Sequence, residues 1–168
     1  ANTKQTPQFD VGKLTFEANV EGSQAGDQIK VAVLDGKKQI KAQVLDANTT
    51  VDIHVPNLEA WSPSNPKLYD LDIQLIRNGK VIDKTKSYFA MRKISMEKDK
   101  NGIQRMMLNN KFVFQYGPLD QGWWPDGLHT APSDEALKFD VIKTKEMGFN
   151  MIRKHIKVEP ARWYRHCD

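Results

Sequence analysis

The loop over residues 115–127 carries the side chains best suited to ligand chemistry in this sequence. It reads Gln-Tyr-Gly-Pro-Leu-Asp-Gln-Gly-Trp-Trp-Pro-Asp-Gly, with Asp120 followed by the adjacent Trp123 and Trp124. Indole rings offer flat faces on which a ligand can stack, and a carboxylate accepts hydrogen bonds from hydroxyl groups or binds a cation. The alternatives are packing of the two indoles against the β-sandwich predicted for the preceding residues and an ordinary turn role for the aspartate.

A second candidate group follows the next apolar run and consists of Arg153, Lys154 and His155. Side chains alternate along a strand, so Arg153 and His155 point the same way. A guanidinium at the carboxyl end of a strand can bind hydroxyl groups or orient a carboxylate. The sequence therefore favours Arg153 and His155 over Lys154 as ligand contacts, with a structural ion pair as the alternative for Arg153.

These candidates lie on a predicted strand–loop–helix–strand unit. Phe112–Tyr116 predicts the first strand and Phe149–Arg153 the second. Between them, the helical period of the apolar residues predicts a helix over Ser133–Met147 with Ser133 as its N-cap. A second helix begins near Glu159. This order is that of the first quarter of a (β/α)8 barrel or of the start of a doubly wound sheet.

Residues 10–94 show the two-residue alternation of β-strands. Lys13–Val20, Gln28–Leu34 and Asp70–Arg77 alternate apolar and polar residues, and Asn78-Gly79 is typical of a hairpin turn. About seven short strands without a helical pattern predict an antiparallel β-sandwich of immunoglobulin-like type.

Composition argues against several functional classes. The 168 residues carry a formal net charge of +4, without the dense Lys/Arg blocks that bind nucleic acid. No apolar run is long enough to span a bilayer, so neither a membrane nor a nucleic-acid partner is expected. The histidines lack zinc-site spacing and no Gly-x-Gly-x-x-Gly is present, so neither a metal nor another cofactor is expected. The single cysteine, Cys167, forms no internal disulfide and leaves the compartment open.

Four segments together resemble glycoside hydrolase family 2, the family of β-galactosidases, β-glucuronidases and β-mannosidases. Trp61–Tyr69 is similar to a crossing in the immunoglobulin-like domain of that family, and Tyr88–Arg92 resembles its Phe-Gly-x-Arg segment. Leu108–Phe112 resembles the turn Leu-Asn-Gly-Lys-Pro before the first barrel strand. Asp140–Asp168 is similar to the first barrel helix and second barrel strand. The order and spacing of these segments carry the resemblance.

The resemblance implies an immunoglobulin-like β-sandwich followed by the first β/α units of a truncated (β/α)8 barrel. It implies a parent O-glycosyl hydrolase that cleaves β-glycosidic bonds with retention, using two glutamates expected downstream of Asp168. The domains are then a linker over residues 1–9, the sandwich over residues 10–94 and an incomplete barrel over residues 95–168. No catalytic residue is expected within the chain, which is interpreted as a fragment that is inactive alone.

The resemblance also assigns the candidate residues to carbohydrate binding. The expected substrate contacts are Arg153, Asp120, Trp123, Trp124 and His155. The family's Asn-Arg-His-Glu after the first barrel strand has no counterpart in residues 117–124, and its His-Tyr-Pro is replaced by residues 156–158. Galactose-contacting histidines therefore do not carry over, which indicates a divergent subgroup.

The expected partners are the carbohydrate substrate and the rest of the same chain. Uncovered apolar faces of a truncated barrel also predict self-association of the fragment. The resemblance favours a bacterial periplasmic or secreted location. The alternative function is a non-enzymatic β-sandwich module that binds carbohydrate or protein. The sequence downstream of Asp168 distinguishes the two, because only the enzyme needs further barrel strands that end in glutamates.

Overall fold

A computed structural model describes residues 2–168. The chain divides into two compact units, the first ending at Phe112 and the second comprising Val113–Asp168. The first unit contains a short 3-10 helix (Phe9–Val11) and the strands β1 (Asn2–Gln8), β2 (Lys13–Asn19), β3 (Gln28–Asp35), β4 (Lys38–Asp46), β5 (Thr50–His54), β6 (Tyr69–Arg77), β7 (Lys80–Phe89), β8 (Ile94–Lys98), β9 (Gln104–Leu108) and β10 (Lys111–Phe112). The second unit contains β11 (Leu119–Asp120), α1 (Asp134–Glu146), β12 (Arg153–Lys154) and α2 (Ala161–Cys167).

Two antiparallel sheets that share one core form most of the first unit. One sheet has the strand order β1-β2-β5 and the other β4-β3-β6-β7. The alternation in each strand decides which side chains face inward, so that Phe16 of β2 and Val31 of β3 are both fully buried. Both belong to a single apolar cluster. The mainly β fold with antiparallel sheets is confirmed, in agreement with the β-sandwich expected from the sequence.

The hairpin between β6 and β7 turns at Asn78-Gly79, as the sequence predicts. The φ angles of the two residues are 49° and 73°. A type I′ turn requires positive φ at both central positions, which glycine adopts freely and asparagine tolerates. Asn109 and Asn110, which connect β9 to β10, have φ angles of 52° and 64°. The same turn chemistry therefore closes both hairpins.

A buried ion pair ties the loop before β3 to the end of β6. The Asp27 side chain is only 1% exposed, and its carboxylate accepts hydrogen bonds from Arg77 at 2.8 and 2.7 Å. It also accepts one from the backbone N–H of Gln24 at 2.8 Å. The Arg77 guanidinium, followed by this backbone donor, lowers the pKa of Asp27 to about 2. The only charge buried in the sandwich core region is therefore fully paired among the described residues.

A third, smaller sheet with the order β10-β9-β8 also belongs to the first unit. Its strands β8 and β9 pair from Ile94↔Leu108 to Lys98↔Gln104. The domain boundary predicted between residues 94 and 95 lies at the beginning of this sheet. The first compact unit continues past that point to Phe112.

The linker predicted for residues 1–9 is wrong for the residues that the structure describes. Asn2–Gln8 form β1, which pairs along its whole length with β2. This strand lies at the edge of its sheet, and its side chains are exposed or half-buried. Backbone hydrogen bonds to β2 hold it in place, so it needs no apolar alternation. That is why a polar, aperiodic sequence was mistaken for a linker.

The second unit has the predicted β-α-β order, but both strands are short and lie further along the chain than predicted: β11 shares no residue with the predicted strand Phe112–Tyr116, and β12 shares only Arg153 with Phe149–Arg153. β11 and β12 pair in parallel through Leu119↔Arg153 and Asp120↔Lys154 only. Upstream of this pairing, the side-chain amide of Asn150 donates to Phe114 O at 2.8 Å and accepts from Tyr116 N at 2.9 Å. A side chain thus takes the place of ladder hydrogen bonds where longer strands were expected.

Helix α1 begins as predicted. Ser133 is its N-cap, and the Ser133 hydroxyl oxygen accepts a hydrogen bond from Ala136 N at 3.2 Å. The apolar stripe predicted for this helix is buried only in part. Leu137 is buried, whereas Ile142 and Met147 are 42% and 72% exposed. The second unit therefore leaves much of the helix's apolar surface uncovered.

Candidate functional site

The candidate residues lie at the carboxyl ends of two parallel strands. Because β11 and β12 run in the same direction, the loops that follow them emerge at the same edge. A backbone hydrogen bond of 3.0 Å from His155 N to Asp120 O continues the pairing to that edge. Ligand sites of α/β folds lie at this edge, because the loops there are free to vary over a fixed scaffold.

The two loops enclose a cleft of about 560 Å³. A volume of this order is sufficient for one small ligand. The first loop contributes three lining residues and the second loop five. They are Gln121, Trp123 and His129 from the loop after β11, and Ile156, Lys157, Val158, Glu159 and Pro160 from the loop after β12.

Trp123 forms an open aromatic wall of the cleft. Its side chain is 58% exposed. The indole packs on the His129 ring with 4.3 Å between the ring centroids. The indole of Trp123 is therefore in contact with His129 of the same loop, while much of its surface remains accessible to a ligand.

Trp124 is placed differently from its neighbour. It is half-buried and is not among the residues that line the cleft. Its backbone exchanges hydrogen bonds of 2.8 and 3.0 Å with Leu128. This backbone pairing favours a role of Trp124 in shaping the loop.

Asp120 is engaged within the protein through both carboxylate oxygens. One oxygen accepts a hydrogen bond from Gly122 N at 2.7 Å, and the other pairs with Lys154 Nζ at 2.5 Å. Its predicted contact with a ligand would have to compete with these partners. The geometry favours Asp120 as a residue that positions the loop after β11.

Lys154 is the centre of a buried charge cluster. Its side chain is 11% exposed, and its ammonium pairs with Asp120 and, at 2.8 Å, with Glu159. It also lies 4.6 Å from the centroid of the Trp163 ring in α2. Burial disfavours the ammonium charge, but the hydrogen bonds to the two carboxylates outweigh it and raise the pKa of Lys154. Lys154 is therefore a charged structural anchor between β12 and α2.

Lys157 joins the two loops. Its ammonium donates to Gly122 O at 2.8 Å and to His129 O at 2.9 Å, and it lies 3.2 Å from Glu159 Oε1. Three acceptors match the three N–H donors of an ammonium group. Lys157 consequently fixes the loop after β11 to the loop after β12.

Arg153 and Lys154 form β12, and His155 follows the strand directly. Arg153 is exposed, and its side chain has no hydrogen-bond or ion-pair partner anywhere in residues 2–168. His155 is half-buried, and its Nδ1 lies 2.9 Å from Gln121 Nε2. Of the predicted contacts, the structure thus brings His155 next to a cleft residue and leaves Arg153 an open cation.

Two residues of the cleft loops, Gly122 and Ile156, have unusual backbone conformations. Gly122 has a φ of 63°, and a Cβ at this position would lie 2.4 Å from Glu159 Oε1 and 2.6 Å from Lys157 Nζ. Ile156 has a φ of 52° and is 85% exposed. β-Branched residues rarely adopt this left-handed conformation, and such strain is concentrated at functional sites.

The sequence prediction missed Gln121, His129, Lys157 and Glu159. The position of Glu159 directly before Pro160, which opens α2, was a signal for Glu159. The remaining three residues are brought together by loop packing that leaves no sequence pattern. In the part of the chain that the structure describes, no cluster of His, Cys, Asp and Glu is arranged to hold a metal ion. Over the same residues, no helix is both long and apolar enough to cross a membrane.

Comparison with known proteins identifies relatives for this arrangement. The model of the family described as Glycosyl hydrolases family 2 matches residues 2–92. The β-galactosidase of Lactococcus lactis subsp. lactis is 30% identical over 118 residues, covering 70% of this chain and 11% of that protein. The β-galactosidase large subunit of Latilactobacillus sakei is 27% identical over 172 residues, covering 96% of this chain and 26% of that protein. The chain therefore spans about a quarter or less of the length of these relatives.

Solved structures share the fold. An FMN-binding β-glucuronidase from Facaelibacterium prausnitzii L2-6 matches with a TM-score of 0.82 at 22% identity, over 98% of this chain and 25% of that chain. A β-glucuronidase of Bifidobacterium dentium matches with a TM-score of 0.82 at 18% identity, over 93% of this chain and 25% of that chain. At these identities the likeness extends to the fold alone.

Proposed function

Because this chain belongs to glycosyl hydrolases family 2, we propose that it is part of a retaining glycosidase that cleaves β-glycosidic bonds in carbohydrates. The observation that carries the proposal is the cleft at the carboxyl ends of β11 and β12 with Trp123 in its wall. An exposed indole beside hydrogen-bonding side chains is suited to a sugar ring, which has both apolar C–H faces and hydroxyl groups.

The proposed architecture is an immunoglobulin-like sandwich followed by the opening of a (β/α)8 barrel. The parallel pair β11 and β12, the connecting helix α1 and the following helix α2 support it, because they have the order of two successive β/α units. In a barrel of this kind, the catalytic residues come from the ends of several strands. We place the two catalytic glutamates on barrel strands downstream of Asp168, so this chain contributes one part of the rim.

Within that rim the predicted contacts take different proposed roles. Trp123 stacks on the sugar and His155 hydrogen-bonds to its hydroxyl groups, whereas Arg153, outside the cleft lining, orients a catalytic carboxylate of the parent. Asp120 and Trp124 hold the loop in place, since both are engaged in contacts within the second unit.

The test compares the parent enzyme with the 168-residue chain on nitrophenyl β-glycosides. We expect turnover by the parent, with retained configuration of the released sugar in NMR spectra taken before mutarotation. The 168-residue chain is expected to show none. Inversion of configuration by the parent would contradict the mechanism, and robust turnover by the 168-residue chain would contradict the downstream position of the glutamates.

In the parent, Trp123→Ala is expected to raise KM severalfold, up to about tenfold, because stacking between aromatic rings contributes about 0.5–1.5 kcal/mol. Trp124→Phe is the matched control, since it keeps an aromatic ring at a position outside the cleft lining. Equal KM values for Trp123→Ala and the control would show that the indole of Trp123 does not contact the substrate.

A further inference from the structure

The lysine and the glutamate that line the cleft, Lys157 and Glu159, are paired with each other and with other groups of the protein. Lys157 is surrounded by three acceptors, Gly122 O, His129 O and Glu159 Oε1, and its side chain is 13% exposed. Two of the three N–H donors of the ammonium are thus used in hydrogen bonds, and its charge is paired with the Glu159 carboxylate. The one lysine or arginine side chain that lines the cleft, within residues 2–168, is therefore already engaged within the protein.

The carboxylates beside the cleft are neutralised in the same way. Glu159 is 2% exposed at its side chain and is shared by Lys154 and Lys157. Asp120 pairs with Lys154 from the opposite side. These two cations and two anions carry no net formal charge, and the carboxylate of Asp140 also interacts with Asp120 and Lys154, so the cluster has no positive charge left to attract an anionic ligand.

The surface that remains accessible in the cleft is apolar or neutral in character. Trp123, Ile156 and Val158 are 58%, 85% and 83% exposed. The polar side chain of Gln121 lies beside them. Arg153 on β12, the strand directly before the second cleft loop, is an exposed cation without a partner in the described part of the chain, but it is not among the lining residues. The cleft thus combines flat apolar surface with neutral hydrogen-bonding groups.

From this arrangement we propose that the cleft binds an uncharged sugar residue and discriminates against the corresponding uronate. The proposal rests on the proposed glycosidase function and adds the substrate class to it. A uronate carboxylate in the cleft would lose its hydration without gaining an unpaired cation among the lining residues, and it would lie near the Glu159 carboxylate. A hydroxymethyl group at the same position carries no such penalty.

The test uses two pairs of sugars that differ only at C6: methyl β-glucoside with methyl β-glucuronide, and methyl β-galactoside with methyl β-galacturonide. Each is titrated into the 168-residue chain while the indole N–H signal of Trp123, assigned with Trp123→Phe, is followed by NMR. In at least one pair, we expect the neutral sugar to shift this signal and to bind about tenfold or more tightly than its uronate.

Substitution Glu159→Gln tests whether the charge balance of the cluster causes the preference for the neutral sugar. It preserves the shape of the side chain and an acceptor oxygen but leaves the two lysines with one uncompensated positive charge. The preference for the neutral sugar is expected to fall severalfold, because an anion then meets a net positive cluster. Glu21→Gln, which removes one exposed carboxylate from the first unit, is the matched control and should leave the preference unchanged.

The results separate this proposal from the broader one. Equal or tighter binding of the uronates by the unsubstituted chain overturns the neutral-sugar proposal while leaving glycosidase activity intact. An indole signal that responds to none of the four sugars overturns the cleft as a sugar site. Whether the parent is a retaining glycosidase is decided independently by turnover, so the two proposals can fail separately. If Glu159→Gln does not fold, the comparison within the unsubstituted chain still decides the outcome.

Discussion

The two units of this chain bury their side chains in opposite ways. The first unit has a closed apolar core, in which Leu14, Phe16 and Val33 are fully buried. In the described part of the second unit, only Leu137, Trp163 and the charged Glu159 are buried, while large apolar side chains lie open. The most exposed of these are Ile156 at 85%, Val158 at 83%, Met147 at 72% and Phe114 at 70%.

This contrast shows how each unit is stabilised. A sandwich of antiparallel sheets encloses its own core, whereas a parallel pair with helices needs further neighbours before its apolar faces are covered. In the second unit, the buried Glu159 is paired with the half-buried Lys154. Buried ion pairs position neighbouring groups well but contribute little net stability. We therefore infer that the second unit is the less stable and that its charges serve to position the cleft.

The largest effect is expected from truncating one phenylalanine in each unit. Phe16→Ala should lower the free energy of unfolding by about 3–5 kcal/mol, because it opens a cavity in a closed core. Phe114→Ala removes the same atoms from a side chain that is 70% exposed and should cost about 0.5 kcal/mol or less. Denaturant unfolding of the 168-residue chain measures both. A similar cost for the two substitutions would show that the second unit is packed as closely as the first.

A smaller effect is expected from two glycines of the second unit. Gly122 and Gly148 both have positive φ, at 63° and 86°, so Gly→Ala strains the backbone by about 1 kcal/mol at either position. Only at Gly122 does a new Cβ meet other groups, Glu159 and Lys157, whereas nothing lies within 4 Å at Gly148. Gly122→Ala should therefore cost about 1–3 kcal/mol more than Gly148→Ala, measured by thermal unfolding of the second unit. An equal loss of stability for the two substitutions would indicate that the Lys157–Glu159 ion pair beside Gly122 is not formed in solution.

The smallest effects concern the dependence of stability on pH. We expect the first unit to lose stability at acid pH and the second unit at alkaline pH. Asp27 has a folded-state pKa of about 2 against an ordinary 3.8, so its stabilisation is present above pH 3.8 and is lost as pH falls towards 2. The pKa of Lys154 is raised above its ordinary 10.5, despite burial, by Asp120 and Glu159. Its stabilisation is complete below pH 10.5 and is lost as pH rises through the folded-state pKa.

Residue-resolved NMR across the pH range checks this pair of expectations. Asp27→Asn should flatten the acid dependence of the first unit, and Lys154→Met should flatten the alkaline dependence of the second. The assignment would be contradicted if Asp27→Asn changed the alkaline dependence of the stability of the second unit, or if Lys154→Met changed the acid dependence of the stability of the first unit.

The sandwich was predictable because its determinants are local. The alternation that buries Phe16 and Val31 can be counted along each strand, and the turn at Asn78-Gly79 follows from the backbone preferences of two residues. Strand β1 was missed because an edge strand is held by backbone hydrogen bonds, which leave no apolar pattern. Periodicity thus predicts those strands that must bury side chains, and only those.

The candidate site was predictable in position but not in detail. The position of the candidate residues in loops that follow β-strands comes from the order of strands and helices along the chain. The partners of Asp120 do not come from that order, since Lys154 is 34 residues away in sequence. Trp123 lines the cleft and Trp124 does not. This difference depends on the antiparallel backbone bridge between Trp124 and Leu128 within the same loop. Such contacts are set by tertiary packing rather than by local preference.

Native-state hydrogen exchange on the 168-residue chain tests the contrast between the two units most directly. The amides of Val31 and Ile73 in the central strands β3 and β6 should exchange only through global unfolding of the first unit. The hydrogen-bonded amides of Arg153 and His155 should exchange through local opening, at a free energy lower by about 2 kcal/mol or more. Equal protection of the two groups would contradict the account, because the second unit would then be as well packed as the sandwich.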